Sequence, residues 1–207
     1  MGCSVSNMTL HFVTNSVVFG RSIRIADFRD LRAEHIQRFP KTLDFEGRAD
    51  GIRANGFPLE TIREFITDVC EWGNYPGIAA RVLLHNTLDQ LQMTLRLAAE
   101  YLSRETPECG AALNAMNQRH GLGSPSFASK HLRFIRPDLC PVFDAILRDA
   151  LPYSFDAAGY NDFALDCSRL AAELQHARVQ NPCGRPDNKW FAADVEAALF
   201  VRFNEWL

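Results

Sequence analysis

The sequence predicts a mainly α-helical protein of two helical lobes, with a short β hairpin near its start. Three observations carry that expectation. From residue 58 onward, apolar residues recur at helical spacing with little interruption. Proline and glycine punctuate the pattern where helices would stop and restart. Strand-like clustering of β-branched and aromatic residues is confined to residues 8–19 (MTLHFVTNSVVF), around Asn15-Ser16.

The elements follow in order. Ile25, Phe28, Leu31, Ile36 and Phe39 give residues 22–39 a roughly helical spacing that Pro40 ends. Residues 40–57 hold Gly47, Gly51 and Gly56 among Asp and Arg, and read as an irregular connector. Pro58 suits a first helical position, and Ile62, Phe65, Ile66 and Val69 line one face of a helix ending near Trp72-Gly73. After a turn at Asn74-Tyr75-Pro76-Gly77, helical patterns fill 78–85 and 87–102, the latter with Leu88, Leu91, Leu95, Ala98 and Leu102. Pro107 opens a helix that stops at His120-Gly121, and another starts near Ser124. Asp144 begins the next, 160–179 reads as one long helix, and 181–186 is a breaker. Asp187 is placed to cap a last helix with Phe191, Val195, Ala198, Leu199 and Phe203 inward. One functional domain spans 1–207: a lobe at 58–151 containing a helical hairpin at 107–136, and a second lobe from 1–57 plus 152–207.

At 207 residues the chain buries a proper core, and 47% hydrophobic with 23% charged residues is the balance of a soluble globular protein. No apolar run nears the ~20 residues of a membrane span. A net charge of −3 argues against a basic, non-specific coater of nucleic acid but leaves room for a local basic patch. The six cysteines form no C-x-x-C pair, so no zinc or iron–sulfur site is expected. Without a visible secretory signal they read as reduced thiols of a cytoplasmic protein. Met1-Gly2-Cys3-Ser4-Val5-Ser6 fits the short N-myristoylation pattern, which matches often by chance.

The chemistry concentrates in residues 121–151. Gly121-Leu122-Gly123 joins two helices, and two glycines permit positive φ and close backbone approach. The helix that follows aims unpaired N–H groups and its positive dipole end at the turn, which makes an anion site without any net positive charge. A plain glycine-capped turn is the bland alternative. On a helical wheel Phe127, Ala128, His131, Leu132 and Ile135 form the buried face. Ser126, Lys130 and Arg133 fall on the other side as a basic edge, with Arg119 and His120 just before the turn. Two prolines stiffen Pro137-Asp138-Leu139-Cys140-Pro141. Asp144 then reads both as a helix N-cap and as a carboxylate held near a phosphate backbone.

The arrangement Gly121-Leu122-Gly123, Ser126-Phe127-Ala128-Ser129-Lys130 and Pro141-Val142-Phe143-Asp144 resembles the helix–hairpin–helix DNA glycosylases, nearest to their 8-oxoguanine-glycosylase-like branch. Trp72-Gly73-Asn74-Tyr75-Pro76-Gly77 with Arg81 and Asn86, and Trp190 with Ala193-Asp194-Val195-Glu196 and Leu199-Phe200, are similar to small bacterial proteins of that branch. The resemblance implies an enzyme that flips a modified base out of double-stranded DNA and cleaves its N-glycosidic bond, without a cofactor, metal or protein partner. It gives Asp144 the task of stabilising the cationic sugar and orienting water. Gly121, Leu122, Gly123, Ser124, Arg119 and Arg133 would hold DNA. Bifunctional relatives carry a catalytic lysine where this chain has Ser126, with Lys130 one turn on. The serine favours a monofunctional hydrolase that leaves an abasic site, and reach of Lys130 to the sugar would add lyase chemistry. Trp72, Tyr75, Trp190, Arg48 and Arg53 are candidates for the base pocket, as against simple packing.

Some small bacterial members of the branch defend against phage by excising glucosylated hydroxymethylcytosine, which makes that base the first expected substrate. The alternatives are an 8-oxoguanine repair enzyme with lyase activity through Lys130, a helix–hairpin–helix protein that binds DNA without chemistry, and a helical interaction protein whose hairpin is an ordinary turn.

Overall fold

The computed structural model describes the backbone of residues 12–13, 16–18 and 22–204, and the side chains of residues 24–204 except Pro76. The myristoylation-like start lies outside the described residues. The protein is mainly α. Strands β1 (Phe12–Val13), β2 (Ser16–Val18) and β3 (Ser22–Ile23) pair antiparallel in that order. The helices are α1 (Asp27–Arg38), α2 (Thr42–Ala54), α3 (Leu59–Trp72), α4 (Pro76–His85), α5 (Leu88–Leu102), α6 (Cys109–Asn117), α7 (Pro125–Ile135), α8 (Ala145–Ala150), α9 (Ala157–His176) and α10 (Ala192–Asn204).

Helices α3 and α5 arise as their patterns predict. Ile62, Phe65, Ile66, Val69 and Cys70 bury one stripe of α3, and Leu91, Thr94, Leu95, Ala98 and Leu102 one stripe of α5. A reciprocal capping box starts α5: Thr87 accepts from the Gln90 N–H, and the Gln90 side chain accepts from the Thr87 N–H.

Two helices bury far more than one stripe. In α7 every residue from 128 to 135 is buried, and in α10 every residue from 192 to 199. Helix α7 packs on α2, α3 and α6, and α10 packs on α1, α8 and α9, while α6 also meets α9. These two helices are the axes around which the rest is arranged.

Three expectations are corrected. Residues 40–57 are not an irregular connector, because α2 occupies most of them. Thr42, Phe45, Glu46 and Ala49 form its buried face, while Gly47 and Gly51 are exposed with nothing within 4 Å of a would-be Cβ. Packing of that face against α7 and α3 outweighs the helix cost of two glycines, about 1 kcal/mol each. The last helix does not begin at Asp187, which has φ +54 within a 3₁₀ turn (Pro186–Asn188). It begins at Ala192, with Asp194 accepting from the Phe191 N–H at 3.1 Å. The long helix is α9, which starts and ends three residues earlier than 160–179, because Asp156 caps it by accepting from the Gly159 N–H at 2.9 Å. No described helix is long and apolar enough to cross a membrane.

Candidate functional site

The turn between α6 and α7 is shaped by close packing. Gly121 has φ +85, and a Cβ there would lie 2.8 Å from Val82 Cγ2, so glycine is needed both for the backbone and for the approach of α4. Asn86 Nδ2 donates to Val82 O at 2.7 Å and to His120 O at 3.0 Å, which ties the end of α4 to the turn. The His85 and His120 rings lie 4.2 Å apart beside it. Ser124 holds the extended N-cap conformation without a side-chain cap, and Pro125 opens α7. Gly123 is exposed and residues 124–127 are half-buried, so this helix end reaches the surface.

Two residues expected to contact DNA do not have that freedom. Leu122 is fully buried and its N–H donates to Arg119 O at 2.9 Å, so it is a core plug of the turn. Arg133 is also fully buried, with Nη2 2.7 Å from Glu46 Oε1. The expected solvated basic edge of α7 is therefore a buried one, because α2 covers it with Glu46. Arg119 stays half-buried before the turn.

Ser126 and Lys130 do meet. Lys130 Nζ donates to Ser126 Oγ at 3.2 Å and to Ser126 O at 3.3 Å. Gly73 makes room for it: a Cβ there would lie 2.8 Å from Lys130 Cδ. The half-exposed Tyr75 ring lies 5.5 Å from Nζ and packs edge-on against Phe127. Burial lowers the Lys130 pKa, and the charges of Asp144 and Glu196 act in the opposite sense.

Asp144 sits at the N-cap of α8, half-buried, with Oδ1 accepting from the N–H groups of Ile146 at 3.1 Å and Leu147 at 3.2 Å. Ser129 anchors the connector that delivers it, accepting from the Phe143 N–H at 2.9 Å. Tyr160 adds a second anchor by donating to Pro141 O at 3.1 Å. Cap and connector together fix the carboxylate relative to α7.

Sequence reasoning missed Glu196 as a member of this cluster. It is buried on α10, where burial raises its pKa to about 8. Arg133, the Val142 N–H and Lys130 oppose that rise, and Asp144 adds to it. The available signal was a second acid, two residues after Asp194, in the otherwise apolar run AADVEAALF.

A second buried network lies beside the first. Asp194 accepts from Arg32 Nε at 3.1 Å, Arg185 Nε at 2.6 Å and Asn181 Nδ2 at 3.0 Å. Arg185 also reaches Glu46 Oε2 at 2.9 Å, and Glu46 joins Arg133. Burial penalises the Asp194 charge, but the hydrogen bond and charge of Arg185 and the charge of Arg32 overcome this and hold its carboxyl well below the usual range. Arg185 is thus a structural cation, held by Asp194 and Glu46.

The expected base-pocket residues are not gathered in one place. Trp190 is buried and donates from Nε1 to Val179 O at 2.8 Å. It shares with Arg53 and Arg136 a surface groove of about 870 Å³. Arg48 borders a different cavity of about 660 Å³ and pairs with Asp68 at 2.7 Å. Arg53 pairs with Asp50. Both arginines lie on α2 and not in an irregular connector. Trp72 is half-buried, donates to Thr42 Oγ1 at 2.9 Å, and lies under the Arg133 guanidinium. Only Tyr75 and Trp72 fall near the Lys130 and Arg133 side chains.

Among the described residues no group of three or more His, Cys, Asp or Glu is arranged to hold a metal ion. Comparison with protein-family models, with curated proteins and with solved structures finds nothing that matches this chain.

Proposed function

We propose that the protein is a DNA glycosylase that flips a modified base from double-stranded DNA and hydrolyses its N-glycosidic bond, leaving an abasic site. The observation that carries this reading is the Asp144 carboxylate, fixed at a helix N-terminus with its charge acting on the buried Lys130 side chain, beside a turn that brings the uncapped start of α7 to the surface. In the proposed reaction the bond between the sugar C1′ and the base nitrogen breaks, and the pair leaves with the base. Asp144 stabilises the cationic sugar and orients the water that adds to C1′. A fixed charge aimed at a developing opposite one is typically worth about 3 kcal/mol or more. The α7 terminus would hold a phosphate through the Ser126 N–H and the positive end of the helix dipole, because Pro125 has no N–H and the Ser124 and Phe127 N–H groups donate to Leu122 O and Ser124 O.

A second reading is favoured by the burial of Lys130. Desolvation favours the neutral amine, the form that attacks C1′ to make a Schiff base. That route would add strand cleavage to excision. Glucosylated hydroxymethylcytosine in phage DNA is the proposed substrate, on the resemblance alone, with 8-oxoguanine the alternative. The test offers phage DNA carrying the glucosylated base and an 8-oxoguanine duplex, each with and without alkali and with and without borohydride. Free base with strand breaks only after alkali is the expected result. Borohydride-trapped protein on DNA would select the Lys130 route. Salt-dependent DNA binding with no base released would leave a binding module, and neither binding nor release would leave an interaction protein.

A further inference from the structure

Donors that the two networks leave unused lie against a connected set of aromatic rings. Arg133 Nε and Nη1 have no hydrogen-bond partner among the described residues, although the side chain is fully buried. Leaving such groups unsatisfied is costly, so an unpaired guanidinium edge calls for an acceptor. His35 supplies a second donor. Its Nδ1 lies 3.2 Å from Arg32 Nη1, which can only donate, so Nδ1 accepts and the ring proton sits on Nε2. Ring contacts connect the two: Arg133 lies against Trp72, Trp72 is near Phe39, and Phe39 packs on the His35 ring.

The rings around them are continuous. Trp72 lies 5.2 Å beneath the Arg133 guanidinium and 6.4 Å from Phe39. Phe39 lies 4.7 Å from the His35 ring and 5.9 Å from Phe200, and His35 lies 6.1 Å from Phe200. Trp72, Phe39 and Phe200 are all partly exposed, whereas His35 and Arg133 are buried. They come from the end of α3, the end of α1 and α10, so the rim joins the elements that pack on α7 to those that pack on α10. Charge points the same way: Arg32, Arg133 and Arg185 face only Glu46 and Asp194 in the paired network. An acceptor oxygen suits that excess of cation, and flat aromatic faces suit a flat ring.

We propose that Phe39, Trp72 and Phe200, with Arg133 against Trp72 and His35 against Phe39, form a binding site for a planar ring bearing a carbonyl oxygen, such as a nucleobase. The site rests on the glycosylase reading for its biological role, where it would receive the flipped base. Its chemistry is testable without DNA. The Trp72 indole N–H is followed by ¹H–¹⁵N NMR, assigned through Trp72→Phe, while 2′-deoxycytidine, 5-hydroxymethyl-2′-deoxycytidine or inorganic phosphate is added to the full chain.

The nucleosides should shift that signal saturably and phosphate should not. Arg133→Lys keeps the charge but loses the planar fork, and should weaken nucleoside binding roughly tenfold. Phe39→Ala, at a partly exposed rim position, provides the same test should the lysine variant fail to fold, and should also weaken binding. A shift with phosphate and none with nucleoside overturns the proposal in favour of an anion site. No shift with any probe, or equal binding by both folded variants, also overturns it. Base excision without nucleoside binding would sink this site and leave the glycosylase reading standing. Nucleoside binding without excision on any substrate would do the reverse.

Discussion

Asp194 and Glu196 stand two residues apart on α10, both buried, and their surroundings drive them in opposite directions. Asp194 is gripped by Arg32, Arg185 and Asn181, and stays ionised far below the ordinary carboxylate range. Glu196 feels Arg133 and Lys130 only through space, and burial raises it to about 8. The first region is a lock, in which each charge is answered by contact. The second is a cluster of ionisable groups held close without matched pairing, which is the usual state of groups that exchange protons or face a ligand. Burial alone does not distinguish the two regions, and satisfaction of the buried charge does.

The largest effect is expected from breaking the lock. Asp194→Asn leaves Arg32 and Arg185 without their shared anion and should cost about 3–5 kcal/mol, read as a drop in Tm and in the denaturant midpoint. A cost below about 1 kcal/mol would mean that the network is solvated and that the contrast with Glu196 is false.

The cluster should instead show itself in pH dependence. The folded pKa of Glu196 is raised above its ordinary value of 4.5 to about 8. The folded state therefore binds more protons than the unfolded state between those values. The contribution of Glu196 is fully present below about 4.5 and is lost as pH rises to about 8. Glu196→Gln should flatten the fall in stability across that window. An unchanged slope between the two proteins would contradict the assignment. Asp194 has the opposite sign: its contribution is present above the ordinary carboxylate range and is lost as pH falls through its depressed value.

The smallest effect on stability is expected at Lys130. Burial already disfavours its charge, so Lys130→Met should change stability by about 1 kcal/mol or less, in either direction. A loss of several kcal/mol would place Lys130 in the lock.

What the sequence made legible follows the same division. Helices with one buried stripe, α3 and α5, were readable because local period reports local exposure. Asp144 as a cap was readable because capping acts within three residues. Helix α2 was hidden by Gly47 and Gly51, whose cost is met by contacts with α7 that lie far along the chain. Arg133 looked like a surface cation because its partner Glu46 comes from that misread segment. Glu196 was invisible as a member of the cluster for a related reason: α10 is buried on all sides from 192 to 199, so no wheel could tell which of its charges met a partner and which did not.

The central claim is that Asp144 is placed for chemistry, with capping as the means of placement. Asparagine caps a helix about as well as aspartate, so Asp144→Asn separates the two tasks. The measurement is single-turnover base release from glucosylated phage DNA, with Tm and DNA affinity recorded on the same preparations. The account predicts an unchanged fold and DNA affinity with release slowed roughly 100-fold or more. Release at the native rate by the folded variant would contradict it.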